Sequence, residues 1–391
     1  MSGKICFVVQ RYGLEVNGGA ELLCRLFAEH MKDIYEIEVV TTKAIDYITW
    51  KDEYKNDFED INGINVRRFS VEHERGPNFD GINAEFLTNG LPLKLEQEWI
   101  DKQGPYCPAI INYLLEHQRE YKVIIFFTYL YYPTVMGVKS VSQKSIVMPF
   151  AHDEPFLRMK IFDDVFLKPN AIVYSTDEER KLINSKYHNE HIPYALGGCG
   201  VDLPASIDAG RFKKKYGLEN YIVYVGRIDA GKNCEELFKC FEEYKRRNYG
   251  DLKLVLMGKP VIPIPHNNDI ISLGFVSDED KFDGVAGARA LVLPSKFESL
   301  SMVVLEAMAV RTSVIVNGEC EVLKGHCLKS NGAFYYTDFF EFEGELNWLL
   351  NPANEESVEQ LKNNAKRYVD ENYQWTVICE RLRGLIEDIA G

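Results

Sequence analysis

The 391-residue chain has no basic excess: 45 Lys and Arg stand against 59 Asp and Glu, a net charge of −14. A polyphosphate backbone is bound by a basic face, so nucleic acid is excluded as a general partner. Any phosphate held here must meet a local group of cations. A long apolar run is also lacking. Residues 123–138 carry no charge, but they fall short of the ~20 residues that span a bilayer, and Pro133 and Gly137 interrupt them. A buried strand and a ligand-facing loop are expected there, in a protein at most peripheral to a membrane. Residues 5–9 are too short and too strand-like for a signal peptide, so the expected location is cytoplasmic, extending to the inner face of the membrane. The nine cysteines include no Cys-x-x-Cys. Cys320, His326 and Cys327 form a close cluster without a partner pair, so reduced thiols are expected rather than a metal site. No Gly-x-Gly-x-x-Gly closes a strand with an acid ~20 residues on, which sets a nicotinamide dehydrogenase aside.

What is present begins with size. A chain of 391 residues exceeds what one core usually organises, and a 46% hydrophobic content supplies two. Short apolar runs alternate with helix-periodic segments in both halves, the pattern of two doubly wound parallel sheets. Residues 4–10 read as a strand, 11–19 as a loop carrying Gly18 and Gly19, 20–28 as an amphipathic helix and 37–42 as a second strand. The first turn of such a unit lies at the carboxyl edge of the sheet, where these folds bind ligands. Residues 71–106 are rich in Glu, Asn, Gly and Pro and read as an irregular connection, which inside a compact domain is functional or mobile. A strand near 146–150 runs into Ala151-His152-Asp153-Glu154, where two acids can orient His152 and keep it basic.

The second half opens after the glycine-rich stretch 197–204. A strand at 221–225 meets Gly226-Arg227-Ile228-Asp229-Ala230-Gly231-Lys232. A planar guanidinium and a point-charge ammonium five residues apart can neutralise a diphosphate. Further strands are expected at 252–258 and 270–277. Leu291-Val292-Leu293-Pro294 then leads into Phe297-Glu298-Ser299-Leu300-Ser301-Met302-Val303-Val304-Leu305-Glu306-Ala307-Met308-Ala309. Ser299 or Ser301 can cap a helix here, and a helix opening just past a strand offers free backbone amides to a phosphate. Glu298 stands at its mouth, and Glu306 lies roughly 7–8 Å along it. Two acids so placed can bracket a phosphate bearing a polyhydroxylated group on each side.

The Glu298-x7-Glu306 spacing followed by Ala-Met-Ala resembles the signature of the retaining nucleotide-sugar transferases of glycosyltransferase family 4, which have the GT-B fold. The family more often has glycine where this chain has Ser299 and Ser301, and Gly and Pro where it has Arg311 and Ser313. The resemblance implies two Rossmann-like domains facing a central cleft: an acceptor-side domain of residues 1–196 joined by the terminal helix 376–391, and a donor domain of residues 197–375. It implies a donor site of Gly18, Gly19, Val276, Ser299, Leu300, Ser301 and Glu306. It also implies a reacting centre of Glu298, His152, Arg227 and Lys232. The implied reaction moves a hexose-type sugar from a UDP- or GDP-sugar to a hydroxyl on a glycan, a lipid-linked or a small acceptor, in polysaccharide or glycoconjugate synthesis. Arg227 and Lys232 would supply the positive charge, so no metal and no cofactor is expected. A sugar-nucleotide epimerase of the same fold, or a non-catalytic partner of another transferase, would share the donor residues.

Overall fold

The computed structural model describes all residues except 1, 2, 17, 77, 91 and 391. Asn17, inside the first glycine loop, therefore lies outside the described residues. The chain divides into two compact units, Met1–Gly198 with Cys379–Gly391, and Cys199–Ile378.

The first unit is built on eight strands: β1 (Lys4–Val8), β2 (Glu36–Thr42), β3 (Phe58–Ile61), β4 (Ile64–Phe69), β5 (Ile124–Phe127), β6 (Ser145–Met148), β7 (Ala171–Tyr174) and β8 (Tyr194–Leu196). Their order is β3-β4-β2-β1-β5-β6-β7-β8. Every neighbouring pair is parallel except β3 with β4. Strands covered on both faces must be apolar throughout, and β5 and β7 are buried at every residue. From β1 the chain steps to β2 on one side and later to β5 on the other. The carboxyl ends of β1 and β5 therefore flank a topological switch point.

The second unit holds β9 (Tyr221–Val225), β10 (Lys253–Met257), β11 (Ile270–Gly274), β12 (Leu291–Leu293), β13 (Val314–Asn317) and β14 (Phe334–Tyr336), in the order β11-β10-β9-β12-β13-β14 and all parallel. The chain runs outward from β9 through β10 to β11, then returns to the far side of β9 as β12. Its switch point lies between β9 and β12. The turns leaving β9 and β10 approach so closely that a side-chain carbon on Gly258 would stand 1.8 Å from the Gly226 carbonyl oxygen. Only glycine fits there.

The expected irregular connection over 71–106 is corrected by two helices, Phe79–Asn89 and Leu93–Gln103. Their polar composition hides an apolar side that is satisfied at a distance. Trp99 stacks on Phe156 at 5.2 Å and meets Phe79 at 6.0 Å, while Phe86 stacks on Phe156 at 5.5 Å. Gly90 and Gly104, at φ 71° and 66°, close the two helices with the backbone freedom that only glycine has. Among the described residues no helix is long and apolar enough to cross a membrane.

Candidate active site

The turns after β9 and β12 bring Arg227, Lys232 and Glu298 to the carboxyl edge of the second sheet, beside its switch point, and Glu306 follows in the next helix. Asp229, 8% exposed, organises the β9 turn. Its Oδ1 accepts the Lys232 amide at 2.7 Å, and its Oδ2 accepts Arg227 Nε. A buried carboxylate thus shapes the loop and aims both cations, while the Arg227 side chain stays more than half exposed. Lys232 Nζ reaches Glu298 Oε1 at 2.6 Å. The Pro294 carbonyl, where the β12 loop begins, accepts from Asn233 Nδ2 at 3.1 Å and Asn317 Nδ2 at 3.2 Å. The β9 and β13 turns therefore both hold the loop that carries Glu298.

The helix Met302–Ala309 opens next, and here an expectation is corrected. Ser301 occupies its N-cap position but makes no side-chain cap hydrogen bond. A capping serine normally has extended backbone, whereas Ser301 lies in the left-handed region at φ 67°. Its Oγ is buried without a hydrogen-bond partner among the described residues. Glu306, a turn and a half into the helix, accepts Lys281 Nζ at 2.9 Å. Burial pushes its carboxyl above the usual range against the pull of that lysine. Val276 is half-buried in the loop between β11 and the next helix, which Ser277 caps by accepting the Asp280 amide at 3.1 Å. The strand expected to reach residue 277 ends at Gly274, whose φ of 68° turns the chain out of the sheet. Asp278 and Asp280 have the spacing of a cation-binding pair, but Asp280 is held by Lys215 at 2.8 and 2.9 Å.

In the first unit Gly18 and Gly19 do different things. A side-chain carbon on Gly18 would lie 2.1 Å from Glu21 Oε2 and 3.0 Å from Arg11 Nη2, whereas at Gly19 it would meet nothing within 4 Å. Gly18 is thus required by the Arg11–Glu21 ion pair, whose side chains are each 6% exposed. His152 Nδ1 stands 3.9 Å from Glu154 Oε1, an ion-pair distance rather than a hydrogen bond. The two acids expected to orient this ring face other groups as well: Glu154 accepts Tyr129 Oη at 2.5 Å and Asp153 meets Lys186 at 3.3 Å. The loop is anchored instead by Glu179, 1% exposed, which accepts the Ala151 amide at 2.5 Å and the Ser175 amide at 2.6 Å. Burial pushes the Glu179 carboxyl up to about 8 while those amides pull it down.

Residues 208–368 match the family described as Glycosyl transferases group 1. An uncharacterized glycosyltransferase of Methanocaldococcus jannaschii is 23% identical, with 96% of each chain covered. Residues 208–368 thus form a group 1 glycosyltransferase domain, in a chain with the GT-B fold. Its fold is similar to that of the sucrose-phosphate synthase of Thermosynechococcus elongatus, with a TM-score of 0.72, 16% identity and 99% of each chain covered. It is also similar to Anabaena HepE solved with UDP and glucose, with a TM-score of 0.71, 13% identity, and 99% of this chain and 100% of that one covered. In this transferase Asp229, Lys281 and Glu179 were not legible as site residues. Asp229 has a local signal, being two positions from Arg227. Lys281 has none, and neither has the hold of Glu179 on Ala151, since each contact spans more than twenty positions.

Proposed function

We propose that this transferase moves a hexose from a UDP- or GDP-sugar to a hydroxyl acceptor with retention at the anomeric carbon, in polysaccharide or glycoconjugate synthesis, and without a bound metal. The observation that carries the reading is the meeting of Arg227, Lys232, Glu298 and Glu306 on one sheet edge, with Lys232 and Glu298 in contact at 2.6 Å. A diphosphate needs concentrated positive charge, and its two flanking sugars need hydrogen-bond acceptors. Both are available around one helix start.

The step is departure of the nucleoside diphosphate. The bond from the anomeric carbon to the β-phosphate oxygen breaks and its electron pair stays on that oxygen. The acceptor oxygen bonds to the same carbon, and its proton passes to the departing phosphate. Arg227, Lys232 and the amides at the start of the helix Met302–Ala309 would stabilise the charge as it grows. On donor binding Lys232 would turn from Glu298 alone to share itself with the phosphate, leaving Glu298 to hold sugar hydroxyls. Glu306 would accept from the ribose, and Val276 would meet the base. Gly18 and Gly19 would border the diphosphate, and His152 is proposed to contact a sugar hydroxyl. Incubation with a panel of UDP- and GDP-hexoses tests this. Release of free nucleoside diphosphate from one donor, accelerated by a hydroxyl acceptor that becomes glycosylated with the donor's anomeric configuration, is expected. Inverted product, or no turnover of any donor, would sink it.

A further inference from the structure

His326 has no part in the reaction above, yet it touches the donor loop. It lies on the helix Glu321–Ser330 and is 2% exposed. Its Nε2 stands 2.7 Å from the Leu300 carbonyl oxygen, and its Nδ1 stands 3.0 Å from Tyr368 Oη, which in turn lies 3.1 Å from Tyr373 Oη. A carbonyl oxygen can only accept, so Nε2 carries the proton. In the neutral ring Nδ1 then accepts the Tyr368 hydroxyl, which fixes the tautomer.

The carbonyl so held belongs to the peptide that enters Ser301. At φ 67° Ser301 lies in the left-handed region, which a residue with a side chain adopts only against strain. Its own hydroxyl does not hold the turn, being buried without a hydrogen-bond partner among the described residues. In a trans peptide the carbonyl and the following N–H point opposite ways. Drawing the Leu300 oxygen onto His326 therefore turns the Ser301 amide away from the histidine. The first amides of a helix have no partner within it. Here the first amide to bond back is that of Val304, to the Ser301 carbonyl at 3.2 Å.

We propose that His326 is a positioning residue: its neutral, Nε2-protonated ring holds the Leu300–Ser301 peptide so that the Ser301, Met302 and Val303 amides face the donor's diphosphate. This rests on the donor reading above. The ring never touches substrate; it sets the direction of the backbone donors that do.

Two amide substitutions separate this role from packing. In His326→Gln the new side-chain amide brings its N–H2 near the position of Nε2 and can still donate to Leu300. In His326→Asn the shorter amide matches Nδ1, keeps the Tyr368 contact and cannot reach Leu300. His326→Gln should bind UDP and GDP within about threefold of wild type. His326→Asn should lose about tenfold in that affinity and about 10²-fold in turnover, because charge on the phosphate peaks in the transition state. If both variants melt lower but bind and turn over alike, the ring is packing only and the proposal is overturned. The ring's nitrogen spectrum reads the anchor without ligand: a protected Nε2–H signal is expected in the wild-type protein, and an Nδ1–H tautomer would overturn it. Wild-type protein that binds neither UDP nor GDP would overturn the donor reading instead, and that failure is distinct from a flat variant series.

Discussion

Lys232 Nζ lies 2.6 Å from Glu298 Oε1, joining loops 66 positions apart that leave adjacent strands of the second sheet. The pair is partly shielded, the lysine side chain 33% and the glutamate side chain 13% exposed. On the proposed reading, a cation for the phosphate and an acid for the sugar would hold each other until a donor separates them.

Replacing Lys232 with Met, or Arg227 with Ala, should lower turnover more than donor affinity, because charge on the phosphate is greatest in the transition state. The scale for one such donor is ~2.7–4 kcal/mol, about 10²–10³-fold in turnover. Steady-state kinetics with the best donor checks this. Near wild-type turnover in either variant would remove that residue from the reacting centre.

The two glutamates should separate by ligand. Glu306→Ala should weaken donor and free nucleoside diphosphate alike, by about 10- to 150-fold, since both ligands carry the ribose. Glu298→Ala should abolish transfer while nucleoside diphosphate binds as well as before or tighter, because Lys232 is freed for the phosphate. Calorimetric titration of both variants with both ligands decides it, and the opposite pattern would reverse the ligand's orientation. Glu306→Ala should also lower the melting temperature, because it leaves Lys281, 20% exposed, without its 2.9 Å partner.

Turnover should survive an excess of chelator, with Arg227 and Lys232 supplying the charge that a divalent ion would otherwise bring. Activity lost to chelation and restored by manganese would overturn the metal-independent reading.

In the first unit, Glu38 predicts the response to acid. It is 4% exposed and accepts Lys4 Nζ at 2.7 Å, Arg67 Nε at 2.8 Å and Tyr121 Oη at 2.8 Å. Burial pushes its carboxyl up, but those hydrogen bonds outweigh it and hold the group at about 2, against an ordinary 4.5. A depressed carboxyl stabilises the fold above its unfolded value and loses that contribution as pH falls through its folded one. Roughly 3 kcal/mol should therefore be present at pH 7 and vanish between about pH 4.5 and 2. Urea melts of wild type and Glu38→Gln across that range should converge toward the acid end. A gap independent of pH would mean that the carboxylate is not what the cluster holds.

Much was legible in the chain because it is local. Apolar runs mark buried strands, and β1, β5 and β9 lie within such runs. The spacing of Glu298 and Glu306 depends only on helical rise, and that of Arg227 and Lys232 on a single turn. The tertiary structure alone decided who meets whom across strands. The order β10-β9-β12 brings Lys232 to Glu298, the Asp278–Gly287 helix carries Lys281 to Glu306, and His326 reaches back 26 positions to Leu300. The helices within 79–103 show the same division, since their apolar residues amount to a buried face only once Phe156 and Phe162 are beside Trp99. A hydrogen bond or a packed ring needs its partner within a few ångströms, and spacing along the chain says nothing of that distance until the sheet has set it.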